Sequence, residues 1–161
     1  EGTSIIAAEK EEKLLETLPQ ELVDVAKGFK EYLSVIPESK MAMEVGVSAM
    51  HDVTEGGVFG ALWELGEASG VGITAHLDKI PIKQETIEVC EVFKINPYML
   101  ISSGSMMIGC EKGNLLVEKL EEAGINAAVI GRATEGNDRI VVSRDETRYI
   151  GPAGSDELYK I

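Results

Sequence analysis

Apolar positions along this chain follow two different periods. Val58, Ala61, Leu62, Leu65 and Ala68 recur at i, i+3, i+4, i+7 spacing, which predicts an amphipathic helix with one buried face. After Ser69-Gly70 the period drops to two. Val71, Ile73, Ala75 and Leu77 alternate with Gly72, Thr74 and His76, which predicts a strand buried on one side. Ahead of the helix, 47–53 reads as another strand. Helices are expected at 10–18, stopping before Pro19, and at 19–33, with Leu22, Val25, Ala26, Phe29 and Leu33 inward. Others are expected at 38–45, at 84–93, and at 115–123 with Leu116, Leu120 and Ala123 inward and Gly124 as the C-terminal cap. Residues 3–8 read as a short strand or the extended lead-in to a helix. Residues 106–110, 125–132 and 139–143 read as strands, and 98–101 as a helical turn.

Strands and helices interleave, so the expected class is α/β (α+β), a mixed sheet of four to five strands covered by helices. The loop 134–138 is short, which makes 125–132 and 139–143 expected antiparallel neighbours. The domain is expected over 1–143. Gly, Pro, Asp and Glu dominate 144–161, which reads as a loose tail.

Composition narrows the partners. The 161 residues and 44% hydrophobic content suit one domain with a proper core. A net charge of −13 repels nucleic acid phosphates and anionic lipid, so neither is an expected partner. Cys90 and Cys110 form no C-x-x-C pair and read as buried, reduced thiols of a cytoplasmic protein. No run approaches the ~18 apolar residues of a membrane span, and no signal peptide is visible. The first residue is Glu1 rather than Met, which reads as a chain processed or cut from something longer.

Three loops are candidates to face one cleft, because α/β sheets place ligands in the loops at strand ends. The first is the strand–turn–helix junction His51-Asp52-Val53-Thr54-Glu55-Gly56-Gly57, whose bare N–H groups at a helix start suit an oxyanion. Asp52 or Thr54 could equally cap the helix. Glycine at 56 and 57 is expected to let a ligand approach the backbone. The acids Asp52 and Glu55 oppose an anion there unless they point away or hold a bridging Mg²⁺. The second loop is Ser102-Ser103-Gly104-Ser105, a hydroxyl-rich site or an ordinary turn. The third is Thr134–Asp138. His51 and Asp52 are neighbours on a strand and point to opposite faces, so they are not expected to pair as base and orienter. Phe59 and Trp63 read as core or groove lining. Two histidines and two cysteines far apart give no zinc site, and no metal ligand or catalytic residue is assigned. The chain lacks G-x-S-x-G, G-x-x-x-x-G-K-S/T and G-x-G-x-x-G.

Three stretches taken together carry a resemblance: Met50-His51-Asp52-Val53-Thr54-Glu55-Gly56-Gly57, Asn96 to Ile108, and Ile130-Gly131-Arg132-Ala133-Thr134-Glu135-Gly136. Their order and spacing over about 1–143 resemble the C-terminal domain of the aminoimidazole ribonucleotide (AIR) synthase-related superfamily. Glu1-Gly2-Thr3-Ser4-Ile5-Ile6-Ala7 is similar to the start of that domain in the hydrogenase maturation (carbamoyl dehydratase) branch. The resemblance implies the substrate-side domain of an ATP-dependent enzyme that activates an amide or carbonyl oxygen by phosphorylation. It implies ATP and Mg²⁺ bound mainly by a separate N-terminal domain, a homodimer, and a small-molecule or carbamoyl-thioester substrate. Carried over residue by residue, Asp52, Thr54, Glu55, Gly56, Gly57, Ser103 and Gly104 are the substrate- or phosphate-binding positions. The branch has T-R-G-G where this chain has Thr54-Glu55-Gly56-Gly57, Glu-Gly where it has Ser103-Gly104, and a reactive C-terminal cysteine where it has Leu158-Tyr159-Lys160-Ile161. The alternative reading is a stand-alone, non-catalytic domain that binds a phosphorylated metabolite or a partner protein.

Overall fold

The computed structural model describes residues 1–144 and 146–161. Its elements run α1 (Gly2–Glu9), α2 (Glu11–Leu15), α3 (Gln20–Gly28), α4 (Ile36–Val45), β1 (Ala49–Asp52), α5 (Gly57–Ser69), β2 (Gly72–His76), α6 (Gln84–Phe93), β3 (Met106–Gly109), α7 (Gly113–Glu122), β4 (Gly131–Thr134), β5 (Arg139–Ser143) and β6 (Glu146–Tyr149). Short 3₁₀ turns follow at Phe29–Tyr32, Leu77–Lys79, Pro97–Met99 and Glu157–Lys160. The class is mixed α/β, as the interleaved periods imply.

Three apolar clusters hold it together. Ile6, Ala7, Leu14, Val23, Ala26, Val89, Cys90, Ile95 and Leu100 join α1, α2, α3 and α6. Leu62, Ile73, Ala75 and Val141 pack α5 against the larger sheet. Ala42, Leu116 and Leu120 pack α4 on α7, with Ile108 of β3 beside them. The alternation of β2 holds, because Ile73 and Ala75 are buried and Val71 and Leu77 pack beside them. Residues 3–8, read in sequence as a strand or the extended lead-in to a helix, are themselves helical, within α1. The register of α3 is one step off the expected face: Val23 and Ala26 are buried while Val25 is 49% exposed. The α-helix gives way to a 3₁₀ turn at Phe29, which rotates Leu33 outward.

Strands form two sheets, β1–β3 and β4–β2–β5–β6. The expected hairpin of 125–132 with 139–143 does not form. β2 lies between β4 and β5, antiparallel to the first (Gly72 opposite Thr134) and parallel to the second (Ile73 opposite Arg139). A short loop does not force adjacency here. Strands lie about 4.8 Å apart, so two spacings are about 10 Å, and the loop 135–138 can reach roughly 13 Å at about 3.3 Å per residue. It crosses over the start of β2 at Gly72, where a Cβ would lie 2.5 Å from Thr134 Oγ1 and 2.9 Å from the Asp138 carbonyl oxygen. Residues 125–130 are therefore not strand, although the His76 N–H donates to the Ile130 carbonyl at 2.7 Å. The stretch 144–161, read in sequence as loose, is mostly exposed among its described residues but is tied down at several points. β6 pairs with β5, Ile150 N–H donates to Arg139 O at 2.8 Å, and Asp156 and Glu157 are buried.

Candidate functional site

Two of the three candidate loops meet. β1 and β3 pair antiparallel with Asp52 opposite Met106, and Val53 N–H continues the ladder to Ser105 O at 3.0 Å. This ladder sets the junction 52–57 beside the loop 102–105, at the N-terminal end of α5. The third loop lies at the other end. It crosses Gly72, just beyond the C-terminus of α5, and that helix has 13 residues. At about 1.5 Å per residue the separation is roughly 20 Å. The 134–138 loop therefore does not share a cleft with the others.

At the junction, neither Asp52 nor Thr54 caps the helix through its side chain. Asp52 is 61% exposed and Glu55 is exposed, so both acids face solvent. Gly56 caps the helix in the left-handed region at φ 84°, and Gly57 follows at φ 61°. Gly57 N–H is spent on Thr54 O at 3.0 Å. Gly56 N–H donates to Asp156 Oδ2 at 2.7 Å, a buried bond across 100 residues of sequence. The start of α5 thus holds an oxyanion, and that oxyanion is the chain's own carboxylate. Asp156 Oδ1 also accepts from Leu158 N–H at 2.8 Å. Glu157 Oε2 accepts from Asn96 N–H at 3.3 Å, and its Oε1 accepts from Lys160 Nζ at 2.5 Å.

The glycines expected to leave room for a ligand are packed against the chain itself. A Cβ at Gly57 would lie 2.7 Å from the carbonyl oxygens of Tyr98 and Leu100. At Gly104, φ 99°, it would lie 2.2 Å from Tyr32 O. Their conformational freedom serves close backbone packing around the site. In the serine loop, Ser102 Oγ donates to Leu100 O at 2.7 Å and Ser105 N–H to Ser102 O at 3.0 Å, which makes a turn. Ser103 is half-buried, and its carbonyl accepts from the Glu1 amino group at 3.2 Å.

Sequence reasoning missed Asp156 and Glu157, although Ser155-Asp156-Glu157-Leu158 carries the Asp of a helix-start signal and Asp156 does cap the 3₁₀ turn that follows. It also missed Glu64, whose Oε2 lies 3.0 Å from His51 Nε2, while His51 Nδ1 lies 2.5 Å from the Asp52 carbonyl oxygen. The Asp52 carboxylate is 3.9 Å from His51, so the imidazole is oriented by Glu64 and the Asp52 carbonyl rather than by that carboxylate.

Beside the start of α5 a pocket of about 440 Å³ opens, lined by Phe59, Asn96, Tyr98, Val141, Arg148 and Ala153 among others. Phe59 and Tyr98 stack with centroids 5.5 Å apart and planes 11° from parallel. This is the size and largely apolar character of a small-ligand cleft. Among the described residues no group of three or more His, Cys, Asp or Glu is placed to hold a metal ion. The site holds an oxyanion on the Gly56 N–H and presents the Phe59–Tyr98 stack to the pocket. Cys90 is buried in the helical cluster. Burial, then the nearby charges of Glu157 and Glu91, pushes its thiol up to about 12.

A family model described as "AIR synthase related protein, C-terminal domain" matches residues 1–143. The chain is 33% identical over 102 residues to a putative hydrogenase expression/formation protein of Methanocaldococcus jannaschii, covering 61% of this chain and 30% of that one. It is 27% identical over 97 residues to the carbamoyl dehydratase HypE of Rhodobacter capsulatus, covering 58% and 28%. The solved hydrogenase maturation protein HypE in complex with ATP shares the fold, with a TM-score of 0.65 at 19% identity over 74% of this chain and 40% of that one. The chain thus spans about 30% of the length of these two curated relatives.

Proposed function

This chain belongs to the AIR synthase-related C-terminal domain family, and on that premise we propose that it is the substrate-side domain of an ATP-dependent enzyme of the hydrogenase maturation type. The enzyme activates an amide or carbonyl oxygen by phosphorylating it, and its substrate class is a carbamoyl thioester or a similar small amide. ATP and Mg²⁺ are held mainly by a separate domain, a reading supported by the lack of a G-x-x-x-x-G-K-S/T loop in the sequence and of a metal-holding carboxylate cluster among the described residues. Two such chains form the working dimer.

One observation carries the reading: a buried oxyanion already sits on Gly56 N–H at 2.7 Å. A helix start that holds a carboxylate with a backbone donor has the chemistry to hold a phosphoryl or acyl oxygen. In this reading the family's site positions are Asp52, Thr54, Glu55, Gly56 and Gly57 at the junction, with Ser103 and Gly104 from the neighbouring loop. Gly56 binds. Gly57 and Gly104 let the two loops close on neighbouring backbone. Asp52, Thr54, Glu55 and Ser103 form the rim.

In the proposed reaction the substrate oxygen bonds to the terminal phosphorus of ATP, ADP leaves, and the oxygen departs as phosphate. A carbamoyl group that also gives up its two N–H protons ends as a nitrile. The test uses the native polypeptide, ATP and an S-carbamoyl thioester labelled with ¹⁸O at the carbonyl. Mass spectrometry should find the label in the released phosphate. ADP formation without label in phosphate overturns the proposed oxygen activation, and no ADP at all leaves a non-catalytic domain that binds a phosphorylated metabolite or a partner.

A further inference from the structure

Residues 150–161 lie across the start of α5, and two buried carboxylates fasten them there. Asp156 is 2% exposed and Glu157 is 4% exposed. Asp156 Oδ2 takes Gly56 N–H at 2.7 Å, and Glu157 Oε2 takes Asn96 N–H at 3.3 Å. Leu158 and Ile161 pack against the helical cluster. Between the Ile150 and Asp156 anchors, Gly151-Pro152-Ala153-Gly154-Ser155 is exposed. Within it Ala153 lies on the start of α5. A Cβ at Gly56 would lie 2.9 Å from the Ala153 Cβ, and one at Gly60 would lie 3.4 Å from it. Gly56 and Gly60, one turn apart, therefore make a smooth track for this segment. Gly151, Pro152 and Ala153 also line the 440 Å³ pocket.

We propose that the segment 150–161 is an intramolecular strap whose Asp156 carboxylate occupies the oxyanion seat at Gly56, so that an external phosphate or carboxylate binds only when the strap lets go. The inference rests on the reading of the junction as an oxyanion site. A single N–H cannot serve two acceptors well, so the two anions compete. Asp156 has the advantage of being tethered. Against it, its burial removes a charge from water, which tethering and two N–H bonds must offset. The middle of the strap, 151–155, is a run of small residues open to solvent. The apparent affinity of any external anion is then the intrinsic affinity scaled by the fraction of molecules with the strap open.

The experiment is an inorganic phosphate titration followed at the Gly56 and Asn96 amides by NMR, with hydrogen exchange at Leu158 N–H as the reporter of the strap. It compares the unaltered chain with Asp156→Ala and Asp156→Asn, each shown to be folded by its retained amide dispersion in α6 and β5. Asp156→Asn keeps an acceptor but loses the charge, so it guards against a variant that merely unfolds. The expected result is phosphate binding about tenfold or more tighter in Asp156→Ala, with Asp156→Asn between the two, since a strap open in a tenth of molecules lowers apparent affinity by about that factor. In the unaltered chain, saturating phosphate should also speed exchange at Leu158. Equal affinities in all three proteins, with Leu158 exchange unmoved, overturn the strap and leave the oxyanion seat standing. No movement of Gly56 in any of them overturns the seat and the strap together.

Discussion

At the residue scale the glycines changed meaning between sequence and structure. Gly57 and Gly104 read as openings for a ligand, yet each is pressed against backbone of the same chain. Gly57→Ala places a Cβ within 2.7 Å of two carbonyl oxygens at φ 61°. We expect a loss of at least about 2 kcal/mol in a urea-unfolding measurement, since a left-handed non-glycine alone costs roughly 1–3 kcal/mol. Gly104→Ala, with its contact to Tyr32 O, should lose as much or more. Cys90 met its expectation of a buried thiol. Its burial gives a pH dependence whose sign is fixed. The folded thiol keeps its proton up to about 12, against an ordinary value of 9.0. Below pH 9 both folded and unfolded thiols are protonated and the stabilisation is complete. Between 9 and 12 only the unfolded thiol ionises, so stability falls with rising pH by about 1.4 kcal/mol per unit. Cys90→Ala should remove that component of the slope, measured as the difference in urea midpoints between pH 8 and pH 10. Equal slopes in both proteins would show that burial does not perturb this thiol.

At the element scale the periods held and the pairings did not. Helix α6 spans Gln84–Phe93 and β5 spans Arg139–Ser143, as their apolar spacing predicts. In α5 the expected face is half right. Ala61 and Leu62 are buried and Ala68 is exposed, while Gly57, Gly60 and Gly66 are buried. A glycine inside a helix costs about 1 kcal/mol relative to Ala, so several in one helix signal close approach on that side. Gly60 admits Ala153. Gly66 admits Arg139, whose Nε would lie 2.6 Å from a Cβ there. Arg139 stacks over Trp63 at 5.6 Å and pairs with Glu67 at 2.9 Å. Its Nε is buried without a hydrogen-bond partner, so its place depends on that fit. Arg139→Ala should destabilise by about 1–3 kcal/mol, through lost packing and a lost ion pair, read by thermal unfolding. Gly72→Ala tests the crossing loop. The added methyl meets Thr134 Oγ1 at 2.5 Å and should lower the melting temperature by several degrees, at about 4–8 °C per kcal/mol for a small domain and about 2–4 °C for a larger one.

At the scale of the whole molecule, α5 is the shared support. One face packs on the larger sheet, its start meets the β1–β3 ribbon, and the C-terminal strap closes over that start. No helix among the described residues is long and apolar enough to cross a membrane. The chain by itself is expected not to turn over ATP, because the described residues include no group of three or more acids, His or Cys placed for a metal and the sequence has no G-x-x-x-x-G-K-S/T loop. A steady ATPase rate in the purified chain that disappears in Asp52→Ala would refute this. Sequence alone determined the secondary-structure class, the extent of most helices and the family, because hydrophobic period and short motifs are local properties of the chain. It also placed the junction and the serine loop on the list of candidates. Only the tertiary structure decided which loops share a site, that β2 inserts between β4 and β5, and that the seat at Gly56 is filled. Those are facts about partners far apart in the chain: Asp52 with Met106, Gly72 with Thr134, and Gly56 with Asp156, the last pair 100 residues apart. A backbone N–H records its own position along the chain but not which distant acceptor will reach it. That choice is made when the clusters pack, because a buried donor and a buried carboxylate each lose water and must find another partner.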